Sequence, residues 1–142
     1  MNNPSIYIGM SLTHATHQFR EKFGVQLPCL LERGGFSVIP FVGLTDGTAE
    51  DVYALDTLRV RDADFMLAVC DMPSIGLGME IVERIVTGKP LIVAWKRGTI
   101  ISRMVTGAIV KHGLKTCAYN DIDDIVRICA DYHTQLSLEH AA

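Results

Sequence analysis

The stretch DFMLAVCDMPSIGLGMEIVERIVTGKPLIVAW, residues 64–95, decides the fold. It opens on a mostly apolar run at 64–70 with the length and composition of a buried strand, and it closes on a second such run, PLIVAW at 90–95. Between them IVERIV (81–86) has helical period, Gly88 stands where a C-cap glycine belongs, and Pro90 lies just beyond. Strand, helix, strand with crossover spacing is a βαβ unit, and its two strands are parallel. The segment 71–80, read as the loop between strand and helix, carries Ser74, Gly76, Gly78 and Glu80. Glycines let backbone approach a ligand, and the N–H groups at a helix start offer an anion site. The dinucleotide fingerprint G-x-G-x-x-G is not completed, since position 81 is Ile. From spacing, Glu80 is either a first-turn carboxylate opposing the helix dipole or a group that does chemistry.

The same alternation extends in both directions. Towards the N-terminus lie the strand SIYIGM (5–10), a helical stretch over 13–34 bent or broken at Pro28, the strand FSVIPFV (36–42), a loop GLTDGT (43–48) and a helix over 49–63. Pro40 places that second strand at an edge, because proline cannot donate to a ladder. In the helix over 49–63, Val52, Leu55 and Leu58 or Arg59 share one side, and the helix also carries Asp56. Towards the C-terminus follow a helix over 100–110, a short strand near 115–119, and a final helix over 121–136 begun by Asn120 or Asp121. Five strands joined by helical crossovers give an α/β, doubly wound parallel sheet of flavodoxin-like order 2-1-3-4-5, with helices on both faces and one domain over residues 1–142. In that order the ligand crevice lies between strands one and three, so the loops after them, 9–13 and 71–80, should face each other.

Composition excludes several classes of function. Thirteen basic against sixteen acidic residues give a net charge of −3, and the basic residues are scattered, so neither nucleic acid nor an acidic membrane is expected as a partner. No apolar run approaches the roughly 18 residues of a membrane span, and the N-terminus lacks the basic region and cleavage site of a signal peptide, so a cytosolic protein is expected. Cys29, Cys70, Cys117 and Cys129 stand singly without metal-ligand spacing; they read as buried thiols, with no metal site.

Taken together, several motifs resemble those of a known family: Tyr7 with Ser11 after the first strand, Asp56 before DADFMLAVC, then P-S-I-G-L-G-M-E, G-K-P-L-I-V and I-S-R-M-V-T-G. In order and spacing this set is similar to the nucleoside 2-deoxyribosyltransferase superfamily, and within it to the Rcl-type 2′-deoxynucleoside 5′-phosphate N-glycosidases. The resemblance implies hydrolysis of the base–sugar bond of a (2′-deoxy)ribonucleoside 5′-monophosphate without a cofactor. Glu80 would attack the anomeric carbon to give a covalent glycosyl-enzyme, Asp56 would manage the proton of the leaving base, and Tyr7 would orient Glu80. Ser11, Ser74, Gly76 and Gly78 would hold the sugar and phosphate, Ser74 marking the hydrolase branch. The resemblance also implies a homodimer in which Ser102 reaches the phosphate from the neighbouring subunit. The chain departs from the family at Met10, where glycine is usual, and at LTHATHQFR (12–20), which supplies His14, His17 and Arg20 in place of the usual Gly- and Arg-rich continuation. Two other readings remain open: base exchange onto a second nucleobase, and a nucleotide-binding module without turnover.

Overall fold

A computed structural model describes residues 2–40 and 47–142. The sheet has five parallel strands, β1 (Ser5–Met10), β2 (Ser37–Val38), β3 (Phe65–Val69), β4 (Leu91–Lys96) and β5 (Lys115–Tyr119), in the order β2-β1-β3-β4-β5. This is the doubly wound arrangement expected from the alternation of apolar runs. Every residue of β3 is buried, which requires helices on both faces of the sheet and explains why the sequence there is continuously apolar.

The two faces bury separate clusters. On one, Ile6 and Ile8 of β1 with Phe65, Leu67 and Val69 pack under the helical stretch that runs from α1 (His17–Glu21) to α2 (Leu27–Arg33) and under α6 (Ile122–Ala141), through Phe23 between α1 and α2, Leu27, Leu31, Ile125 and Cys129. On the other, Met66, Ala68, Leu91 and Val93 pack under α3 (Ala49–Asp62), α4 (Ile75–Thr87) and α5 (Arg103–His112) through Val60, Leu77 and Ile81. Strand period sends alternate residues to opposite faces, so Tyr7 joins the second cluster while Ile6 and Ile8 join the first.

The bend expected near Pro28 takes a specific form. Residues Lys22–Gln26 make a π-helical turn between α1 and α2, so the helical path continues rather than breaking. Pro28 has no N–H to donate to the preceding turn, and the wider turn absorbs that loss. β2 is shorter than the strand expected over 36–42; its ladder to β1 joins Ser5 to Ser37 and Ile6 to Val38, and the N–H of Ile39 adds one bond to the Ile6 carbonyl. Residues 41–42 of that expected strand and 43–46 of the expected loop lie outside the described residues. The thiols also divide: Cys117 and Cys129 are buried, Cys70 is half-buried, and Cys29 is exposed on α2, which corrects the expectation that all four are buried. Cys29 falls on the outer side of a helix whose inward residues are Leu27 and Leu31. No helix among the described residues is long and apolar enough to cross a membrane.

The segment 71–80 is the main departure from the sequence reading. Helix α4 begins at Ile75, so Gly76, Gly78 and Glu80 are helical, and Glu80 sits in the second turn rather than in a loop or a first turn. Ser74 is the N-cap: its hydroxyl accepts from the N–H of Leu77 at 3.2 Å. Two glycines raise the cost of helix formation, but the cap and the buried stripe of Leu77, Ile81 and Arg84 outweigh them.

Candidate active site

Tyr7, Asp56 and Glu80 line one cavity at the carboxyl end of β1, together with Arg59 and apolar side chains including Met10 and Phe23. Because β2 ends at Val38, no strand among the described residues pairs with the outer edge of β1 from Tyr7 onward, and the cavity takes residues from both faces of the sheet. Its enclosed part is about 60 Å³. The motif spacing thus brings the three expected catalytic side chains together.

Gly9 of β1 lies beneath Leu77 and Glu80 of α4. A Cβ at Gly9 would stand 2.8 Å from Leu77 Cδ1 and 3.6 Å from Glu80 Oε2, so the absent side chain lets α4 settle onto β1. Glu80 Oε2 is buried and accepts no hydrogen bond from any described residue. Burial therefore pushes the Glu80 carboxyl up to about 7; the Tyr7 hydroxyl opposes the rise without satisfying Oε2, and the charge of Asp56 adds to it. Burial and the neighbouring Glu80 push the Tyr7 phenol up, so it stays protonated as a donor at neutral pH. Burial raises Asp56 as well, with the Arg59 guanidinium opposing. An unsatisfied, half-protonated carboxyl in a cavity beside a second acid is costly for stability and is the arrangement that acid–base or nucleophilic work uses.

The serines fall elsewhere. Ser11 is 1% exposed and donates to the Pro73 carbonyl over 3.4 Å, which ties the loop after β1 to the loop after β3 as the topology requires. Ser74 and Ser102 line a different, mostly apolar groove of about 790 Å³ between α4 and α5, with Gly78 also on its wall. Ser102 is the N-cap of α5, which starts at Arg103 rather than at residue 100, and its hydroxyl accepts from the N–H of Met104 at 3.2 Å. Gly76 lines neither cavity. Within one chain, then, the structure separates the expected phosphate serines from the carboxylates. Of the residues from the altered stretch 12–20, Arg20 donates to the Leu12 carbonyl at 3.0 Å and so closes its own loop.

Sequence reasoning gave no role to two cations. Helical spacing already set Arg59 near the buried side of its helix, but not in the cavity with both acids. Arg84 is fully buried on the inward stripe of α4, and that stripe was readable from Leu77 and Ile81, seven and three positions earlier.

No protein-family model matches the chain. A curated relative from Thermofilum pendens, provisionally named 2′-deoxynucleoside 5′-phosphate N-hydrolase 1, is 31% identical over 81 residues, which is 56% of this chain. That stretch is also 56% of the relative, so the chain spans little more than half its length. Among solved structures, a CMP N-glycosidase from Clostridium botulinum superposes with a TM-score of 0.66 at 18% identity, over 87% of this chain and 96% of that one. A 2-deoxyribosyltransferase from Bacillus psychrosaccharolyticus gives 0.63 at 20% identity, over 86% of this chain and 90% of that one. A conserved protein from Enterococcus faecalis V583 gives 0.71 at 13% identity, over 88% and 96%. The class these structures define is the flavodoxin-like α/β fold. Within that class, the chain is similar over 81 residues to a relative named as a nucleotide N-hydrolase, and in fold to an N-glycosidase and a deoxyribosyltransferase.

Proposed function

We propose that the protein is an N-glycosidase acting on (2′-deoxy)ribonucleoside 5′-monophosphates, with Glu80 as nucleophile. The observation that carries the reading is the buried Oε2 of Glu80, without a hydrogen-bond partner among the described residues, in the cavity it shares with Asp56 and Tyr7. A carboxylate suits a transition state with positive charge on the sugar ring, because it stabilises that charge on one face and then forms the bond. In the first step Glu80 bonds to the anomeric carbon as the C–N bond breaks, and the base departs with a proton from Asp56, whose raised pKa fits an acid. In the second, water attacks the anomeric carbon, Glu80 is released as carboxylate, and Asp56 regains its proton. Tyr7 orients the Glu80 carboxyl throughout.

Ser11, Ser74, Gly76 and Gly78 are proposed to hold sugar and phosphate. Ser102 is proposed to supply a phosphate contact from a second copy. Support for that copy comes from the groove between α4 and α5, whose rim exposes Ile75, Met79, Val82, Ile100 and Met104 at 52–97%. An apolar surface of that extent favours cover. Base exchange is the second reading, favoured by the likeness to the deoxyribosyltransferase fold.

The deciding experiment is chromatography of free base from the four deoxynucleoside 5′-monophosphates, their ribo counterparts and the unphosphorylated nucleosides. Release from the monophosphates, abolished in Glu80→Gln, is expected. Formation of a new nucleoside or nucleotide when a different base is added would move the reading to transfer. Binding with no release from any substrate would replace it with a non-catalytic nucleotide module.

A further inference from the structure

Arg84 is fully buried, and each of its five N–H donors reaches a main-chain carbonyl. Nε donates to Pro90 at 3.1 Å, Nη1 to Val60 and Ala63 at 2.9 and 2.7 Å, and Nη2 to Asp64 and Pro90 at 2.8 Å each. These carbonyls belong to the last turn and C-cap of α3, the residue before β3, and the residue before β4. The side chain therefore joins α4 to the negative end of α3 and to the roots of both central strands. Among the described residues no carboxylate is in salt-bridge contact with it; burial lowers its pKa to about 10 against the opposing charge of Asp64, which leaves it charged at neutral pH.

The position of this clamp relative to the acids is what gives it a role. Glu80 is one turn before Arg84 on α4, and Asp56 is one turn before Val60 on α3. Val60 of α3 and Leu77 and Ile81 of α4 share a buried apolar cluster, which does not fix direction as hydrogen bonds do, and the ion pair between the two helices, Arg61 with Glu83 at 2.9 Å, lies at the surface with the arginine 56% exposed, where such pairs contribute little. We propose that Arg84 is a positioning residue that fixes the separation of Glu80 and Asp56 by clamping the end of α3 to α4. This rests on the glycosidase reading for its kinetic expression, though not for its geometry.

The test compares Arg84→Lys with wild type and with Ile125→Val, a core variant on the opposite face of the sheet that controls for general loss of stability. Base release from the monophosphates gives kcat and KM. The ionisation of Glu80 is read as the carboxyl infrared difference between each protein and its Glu80→Gln partner. The groups facing Glu80 are Tyr7 from β1 and Asp56 and Arg59 from α3, so a shift of α3 moves its titration. Lysine keeps the charge but offers three donors for five. Arg84→Lys is expected to lower kcat about 10- to 100-fold with little change in KM, and to displace the Glu80 midpoint, while Ile125→Val leaves both near wild type. Equal kcat losses in the two variants, or an unchanged kcat and Glu80 midpoint in Arg84→Lys, would overturn the proposal. If the wild type releases no base, the glycosidase reading fails and the infrared midpoint alone decides: displaced in Arg84→Lys it sustains the clamp, unmoved it refutes it.

Discussion

Glu80 concentrates the cost of the site in one side chain. Its ordinary pKa is near 4.5, and burial raises it to about 7 in the folded protein, so the native state holds the proton more tightly than the unfolded chain. The resulting penalty is absent below pH 4.5, grows as pH rises to 7, and is constant above. Wild type should lose about 1–3 kcal/mol of stability relative to Glu80→Gln across that window. Urea unfolding of both proteins at pH 4.5, 6 and 8 measures the difference, and a flat difference would remove the case for a strained carboxyl. Tyr7, Asp56 and Glu80 were legible as a group through the order and spacing of the motifs that resemble a known family, whereas periodicity alone left Glu80 open between a dipole-opposing carboxylate and a group that does chemistry. The burial of Glu80 Oε2 was not legible, since it depends on how closely α4 packs over β1 near Gly9, which no periodicity reports.

At the scale of elements, α4 shows where local rules compete. G-x-G before a helix reads as a loop, yet Ser74 caps a helix that runs through both glycines. Capping and phosphate contact are separable uses of one hydroxyl. Ser74→Ala should cost about 1 kcal/mol of stability and Ser74→Gly a few tenths, because glycine is a tolerated N-cap. If the hydroxyl also binds phosphate, both variants should raise KM for a monophosphate by a similar factor of about ten or more. Thermal unfolding and kinetics on the pair distinguish the two, and an unchanged KM in Ser74→Gly would confine Ser74 to capping. The strands and helix count were legible from alternation of period; the π-helical turn at Lys22–Gln26 was not, since it depends on how the chain accommodates Pro28 against Phe23 in the core.

At the scale of the whole molecule, the apolar rim between α4 and α5 and the separation of Ser102 from Glu80 point the same way. A second copy on that face would cover Ile75, Met79 and Met104. Sedimentation velocity should give about twice the 15.6 kDa of one chain, and Met104→Asp should give monomers. Monomers that keep the Glu80 midpoint but lose base release would place Ser102 in the partner's site; monomers with full activity would exclude it. The Arg84 clamp carries a further consequence, in terms of inheritance. Its acceptors are all main-chain carbonyls, which any residue supplies, so the tie between two helices and two strands is recorded at a single codon. Such a link needs no matching change elsewhere to arise, and no single change at residues 60, 63 or 64 that spares the backbone will compensate for its loss.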